Sequence, residues 1–220
     1  GQEQYNWQVD DFEKPNEEDL IIYEVLIRDF DSDRTFQDLI DRIEYFKGLN
    51  INAIELMPVM EYEGNESWGY NTAFHMSVDK FYGPEEKLKE FIDLCHQNGI
   101  AVIFDLVMNH VMGRSPMNRM WMNDPDENGW GEPSEENPYF NEIATHSYGL
   151  GNDFNHQSNL TQYYTQRVIK HWIENFKIDG IRWDLTKGFT QNCNAGDDNC
   201  TNSYQQDRVD VLKSYADYSW

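Results

Sequence analysis

The sequence has no uninterrupted apolar run near the roughly 18 residues a membrane helix needs, so a helical transmembrane protein is excluded. Positive charge is scarce: 17 Lys and Arg stand against 40 Asp and Glu, a formal net charge of −23. Nucleic acid or an anionic lipid surface would be repelled, which favours a neutral or cationic partner. Cysteine is scarce too. Three are too few for a disulfide scaffold, although Cys193 and Cys200 flank a short Asn/Asp-rich loop and can pair if the compartment is oxidising; Cys95 is left over in a helical pattern. The first 20 residues hold neither a basic nor an apolar segment, so no signal peptide is expected, and Gly1 in place of Met reads as a trimmed chain. Hydrophobic residues make up 39% and aromatics 15%, enough for a core and too aromatic for an acidic disordered tail.

Residues 1–20 are acidic and polar and read as a lead-in or linker. Residues 21–27 are a short apolar, β-branched run, the first expected strand. Thr35 with Asp38 resembles a capping box, and Phe36, Leu39, Ile40, Ile43, Phe46 and Leu49 recur at helical spacing. Residues 51–57 form a second apolar run; Pro84 then opens a helix with Leu88, Phe91, Ile92 and Cys95 on one face. Residues 100–104 are a third strand, apolar enough to be buried on both faces. From 111 to 157 the chain is rich in Pro, Gly, Asn, Asp, Met and Trp without period, which predicts an inserted subdomain. A strong helix through Leu160, Tyr163, Tyr164, Val168, Ile169, Trp172, Ile173 and Phe176 follows, its aromatics read as core, then a fourth strand at 178–184 and a helix at 206–218.

Strands alternating with amphipathic helices predict an α/β fold of parallel βαβ units with right-handed crossovers. Four units are half of a (β/α)8 barrel, which usually takes about 250 residues. Either an open parallel sheet or part of a barrel satisfies this pattern. In both, chemistry gathers at the C-terminal strand ends. The third strand runs into Asp105, Asn109 and His110; the fourth ends Arg182-Trp183-Asp184, with Lys187 just beyond. A spacing of two puts Arg182 and Asp184 on one face of the strand, where a guanidinium favours an ionised carboxylate, as a nucleophile requires.

Asp105-Leu106-Val107-Met108-Asn109-His110 resembles the D-x-x-x-N-H motif of the α-amylase family, glycoside hydrolase family 13, and Gly180-Ile181-Arg182-Trp183-Asp184-Leu185-Thr186-Lys187 resembles its G-x-R-x-D-x-x-K motif. Trp68-Gly69-Tyr70 is similar to the family's aromatic platform loop, and the insertion after the third strand to its domain B. The resemblance implies a partial (β/α)8 TIM barrel made of about the first four βα units: residues 21–110 and 158–220, with domain B at 111–157. It implies Asp184 as catalytic nucleophile and Arg182 as the group fixing its charge. Tyr70 would stack under the reacting sugar, Asp105 and His110 would bond its hydroxyls, and Lys187 would reach the neighbouring glucose. Asn109 would be a calcium ligand, with Asp153 in Gly-Asn-Asp-Phe-Asn as partner, making calcium an expected structural cofactor. The implied activity is retaining cleavage of α-glucosidic bonds in an α-glucan or maltooligosaccharide.

Retaining glycosidases need a second carboxylate as general acid. In the family this glutamate ends the fifth strand, beyond Trp220, so the 220 residues alone are expected to be nearly silent. A second reading is a non-catalytic glycan-binding or calcium-stabilised module on the same scaffold. Half a barrel leaves open sheet edges, so self-association of the chain is a further expectation. Asp124-Pro125-Asp126-Glu127-Asn128-Gly129, with Glu135 after it, matches an EF-hand loop on paper, but Pro125 and Pro133 lie inside and no helix flanks it, which favours a solvated loop. Asn65, Asn159 and Asn199 begin glycosylation sequons that matter only in a chain secreted by a eukaryote.

Overall fold

In chain order the elements are β1 (Ile22–Val25), α1 (Ile27–Phe30), α2 (Phe36–Asp41), α3 (Ile43–Gly48), β2 (Ala53–Leu56), β3 (Met60–Tyr62), β4 (Thr72–Val78), α4 (Glu85–Gln97), β5 (Ala101–Leu106), β6 (His110–Val111), α5 (Pro116–Arg119), β7 (Met122–Asn123), β8 (Glu132–Pro133), β9 (Asn152–Asp153), α6 (Asn159–Phe176), β10 (Gly180–Trp183), α7 (Asp198–Asn202) and α8 (Gln206–Ser219). They belong to a computed structural model that describes residues 5–219. The chain divides into two units. The first takes residues up to Glu61, Met76–Leu106 and His171–Arg182; the second takes Tyr62–His75, Val107–Lys170 and the chain from Trp183 onward.

The sheet runs β1-β2-β5-β10, with β1, β2 and β5 parallel, as strands separated by helices require. Tyr23, Ile54 and Val102 are in register, as are Val25, Leu56 and Phe104. These rows lie on the helix side of the pleat, where Ile54, Leu56, Val102 and Phe104 are buried with Leu39, Phe46, Phe91 and Trp172. Phe104 meets Trp172 with ring centroids 5.2 Å apart. Each such side chain contributes about 1.5–3 kcal/mol of hydrophobic stabilisation. The other side of the pleat carries the row Glu24, Glu55 and Ile103. Ile103 is only half-buried and Glu24 is exposed, so β5 is not enclosed on both faces as its apolar sequence predicts.

The expected strands are all present; the first, second and fourth are shorter than expected, while the third, β5, runs on to Leu106. The first stops at Val25, and Ile27 already begins a helical turn. The expected helix from Phe36 starts on its capping box, with Thr35 and Asp38 bonded reciprocally, then breaks at Arg42 (φ −102°, ψ 15°) into α2 and α3. In α6, Trp172 is fully buried but Tyr163 is 62% exposed, so Tyr163 is not core. The lead-in is not a bare linker where it is described: the amides of Gln8 and Val9 donate to the Asp93 carboxylate at 2.9–3.1 Å, and Phe12 stacks on His96 at 4.2 Å. His96 reaches Asp179 at 2.7 Å, and Asp179 also accepts the Val102 amide, which fixes the entry to β10.

In the second unit, β6 and β9 pair antiparallel, His110 opposite Asp153, and β7 pairs with β8. Phe154 is its aromatic centre, 4.6 Å from Phe140 and 6.1 Å from both Tyr164 and His156. Cys193 and Cys200 form a disulfide and Cys95 is free and buried, as the cysteine spacing allowed. Among the described residues no helix is long and apolar enough to cross a membrane.

Candidate active site

In the first unit Asp105 is the last residue but one of β5, 2% exposed, and the Arg182 guanidinium lies 2.9 and 3.0 Å from its two oxygens. Burying a carboxylate unpaired costs several kcal/mol, and this ion pair offsets that cost. Arg182, expected to fix the charge of Asp184, binds Asp105 on the neighbouring strand. Two acids were missed in the sequence reading. Glu24 and Glu55 are opposite one another in register, and the Glu55 carboxyl is raised above the usual carboxylate range, first by burial and then by Glu24, with Arg182 opposing. Their only signal was a glutamate in each of two apolar strands, which becomes a pair once register is known.

The second unit holds the other candidate residues. His110, buried at the start of β6, places Nε2 at 2.7 Å from the Tyr70 carbonyl and Nδ1 at 3.0 Å from Asn109 Nδ2. A carbonyl only accepts and an amide NH2 only donates, so the ring proton sits on Nε2. Burial pushes the His110 pKa down, while the Tyr70 carbonyl and the charges of Asp184 and Asp153 pull it back. His110 thus anchors the backbone at Tyr70 and lies within the field of Asp184. Tyr70 follows Gly69, whose φ of +98° needs a residue without Cβ. Asp184 is half-buried just past β10, before Leu185, which takes a left-handed conformation (φ 47°). Such strain in a non-glycine residue is typical of a functional turn.

Lys187 stands on the 3-10 turn Thr186–Phe189, and its Nζ donates to Asn202 Oδ1 at 2.5 Å. The Tyr148 hydroxyl donates to the same oxygen at 2.9 Å, and Asn202 Nδ2 is fixed on the Asp198 carbonyl. Arg208 binds the carbonyls of Lys187, Thr201 and Ser203. Tyr148 escaped the sequence reading because it belongs to a stretch with no periodic signal, and Asn202 and Arg208 because helical periodicity marks a stripe and does not show which polar residue at a helix end turns toward Lys187.

Asn109 and Asp153 do come together in this unit, but not as a calcium site. Calcium takes six to eight oxygens. Here Asp153 Oδ1 is 2.7 Å from His146 Nε2 and Oδ2 accepts Asn141 Nδ2 at 2.8 Å, so both carboxylate oxygens are committed. Asn109 Oδ1 is buried without a hydrogen-bond partner, yet it faces the Gly188 backbone so closely that a Cβ there would lie 1.7 Å away. The donors do not fit the ion, and no group of three or more His, Cys, Asp or Glu suited to a metal occurs among the described residues. The EF-hand-like stretch closes on itself instead: Asp124 accepts the amides of Asn128 and Gly129 at 3.0 and 2.8 Å.

Strand ends that carry Asp105, Arg182 and Asp184, with an irregular excursion after the third strand, define part of a (β/α)8-barrel domain. The family model for the alpha amylase catalytic domain matches residues 24–216, and the chain belongs to the α-amylase family. It is 29% identical over 212 residues to malto-oligosyltrehalose trehalohydrolase of Saccharolobus solfataricus, covering 96% of this chain and 34% of that protein. It is 35% identical over 151 residues to a 1,4-alpha-glucan branching enzyme of Halothermothrix orenii, covering 68% of this chain and 22% of that protein. The fold is shared with type I pullulanase of Bacillus subtilis complexed with maltose, at a TM-score of 0.73 and 22% identity over 98% of this chain and 32% of that one. The chain thus spans between 22% and 34% of the length of these relatives.

Proposed function

We propose that this chain is the nucleophile-bearing part of a retaining glycosidase acting on α-glucans. The observation that carries the reading is the cluster in the second unit: His110 holds the backbone of Tyr70 while sensing the charge of Asp184. Asp184 attacks the anomeric carbon; one carboxylate oxygen forms the new C–O bond as the glycosidic C–O bond breaks, and the leaving oxygen takes a proton from a general acid. Tyr70 offers a ring for stacking, its backbone steadied by His110. Lys187, held by Asn202, serves the glucose on the leaving-group side. A neutral carbohydrate suits a chain of net charge −23.

The test is release of reducing ends from soluble starch and pullulan. The 220-residue chain is expected to be silent, because the family resemblance places the second carboxylate on a fifth barrel strand and not on the four of this sheet. A chain extended past Trp220 is expected to turn over, and Asp184→Asn should reduce that rate by at least about a thousandfold. Turnover indifferent to Asp184→Asn would overturn the reading.

A further inference from the structure

We propose that His146 stands in for a metal ion at Asp153, so that this carboxylate in the second unit is fastened by a metal-free hydrogen-bond clamp. The argument begins with the ring proton. The Tyr148 amide donates to His146 Nδ1 at 3.0 Å, so Nδ1 is an acceptor and the proton is on Nε2. A protonated Nε2 has no lone pair for a metal. It points instead at Asp153 Oδ1, 2.7 Å away, in a contact that is fully buried on the histidine side. His146 therefore does what a cation would do at this carboxylate, and does it as a hydrogen-bond donor.

The remaining members leave little freedom. Asn141 Nδ2 occupies the second Asp153 oxygen. Asn109 Nδ2 is committed to His110 Nδ1, which turns Asn109 Oδ1 toward Gly188 and His146. A methyl group on Gly188 would lie 1.7 Å from Asn109 Oδ1 and 2.8 Å from His146 Nε2, so glycine lets the chain close over both atoms. A separate chain of bonds runs from Asn109 through His110 to the Tyr70 carbonyl. His146 is thus a positioning residue for Asp153, whose other oxygen Asn141 holds. This assignment is independent of the catalytic reading, because it concerns only how the unit is held.

The experiment uses the purified chain. Thermal unfolding is followed by circular dichroism in excess EDTA and in millimolar calcium chloride, beside metal analysis of the dialysed protein. The Tm is expected to agree between the two media within about 1 °C, with bound metal far below one equivalent. His146→Ala should lower Tm by roughly 5–10 °C, whereas His146→Gln, which keeps a donor toward Asp153, should recover a good part of the loss. Long-range proton–nitrogen NMR of the unaltered chain should find the His146 proton on Nε2, a readout that survives if the variants fail to fold. A Tm lowered by EDTA and restored by calcium would overturn the proposal, as would a proton on Nδ1 or equal losses in the alanine and glutamine variants.

Discussion

His156 and Met108 are joined by a 2.7 Å hydrogen bond from imidazole Nε2 to the backbone carbonyl, and Tyr215 lies on the other ring nitrogen at 2.8 Å. One residue earlier His75 does the same: Nε2 is 2.9 Å from the Val107 carbonyl and Nδ1 is 3.1 Å from the Tyr164 hydroxyl. Two buried imidazoles, each backed by a tyrosine, therefore hold consecutive carbonyls of the segment that delivers Asn109 and His110. A carbonyl accepts, so both rings carry their proton on Nε2 and use Nδ1 to accept the tyrosine hydroxyl.

Acid should loosen this anchorage. Burial pushes both histidines down to about 4. In the unfolded chain a histidine takes its proton near 6.5, so between roughly pH 6.5 and 4 the unfolded state binds more protons and stability falls as pH falls. Each histidine contributes up to about 1.4 kcal/mol per pH unit in that window, and full stability is present above it. Urea midpoints measured across the window should decline steadily. A flat profile would show that the two rings are not held neutral.

Gly188→Ala should be costly although the residue has ordinary backbone angles. Its Cβ would collide with Asn109 Oδ1 at 1.7 Å, and the amide is pinned by His110 and cannot turn away. A loss of at least about 2 kcal/mol is expected. An unchanged urea midpoint would mean that the Asn109 amide has room to move.

The Cys193–Cys200 bridge closes a short loop, with a sequence separation of 7, ahead of Asn202 and its contact to Lys187. The chain-entropy estimate for a loop of that size is about 2.5 kcal/mol. Replacing both cysteines by serine, or adding reductant, should lower stability by about that amount. If stability is the same in oxidised and reduced protein, the loop is already ordered by Arg208 and the Asp197 cap.

Self-association is expected of this chain. Among the described residues β1 and β10 are the outer strands of the sheet, and Ile21 and Ile22 beside the β1 edge are 56% and 46% exposed. An open parallel edge with exposed apolar neighbours is a template for pairing. Light scattering at rising concentration should show dimers or larger species. A monodisperse monomer at high concentration would sink the idea.

Much of the fold was legible because its signals are local. Val25, Leu56 and Phe104 sit in apolar runs that only a buried strand accommodates, and the Thr35–Asp38 capping box is readable from spacing alone. Arg182 shows the limit. Its spacing from Asp184 is a property of the strand, but its grip on Asp105 depends on β5 and β10 being neighbours, across 77 residues of chain. Tyr163 shows another: helical periodicity marks a stripe, and which edge of that stripe reaches solvent depends on what packs there.

The sequence by itself determined the alternation of strands and helices, the excursion after the third strand, the cysteine pair and the acidic residues at the strand ends. Each of these is written in neighbouring residues through periodicity, turn chemistry or spacing. The tertiary structure alone decided that Glu24 faces Glu55, that His75 and His156 hold adjacent carbonyls, and that His146 meets Asp153. Hydrogen bonds and burial act over a few ångströms in space, and a linear chain does not reveal which distant residues folding will bring within that range.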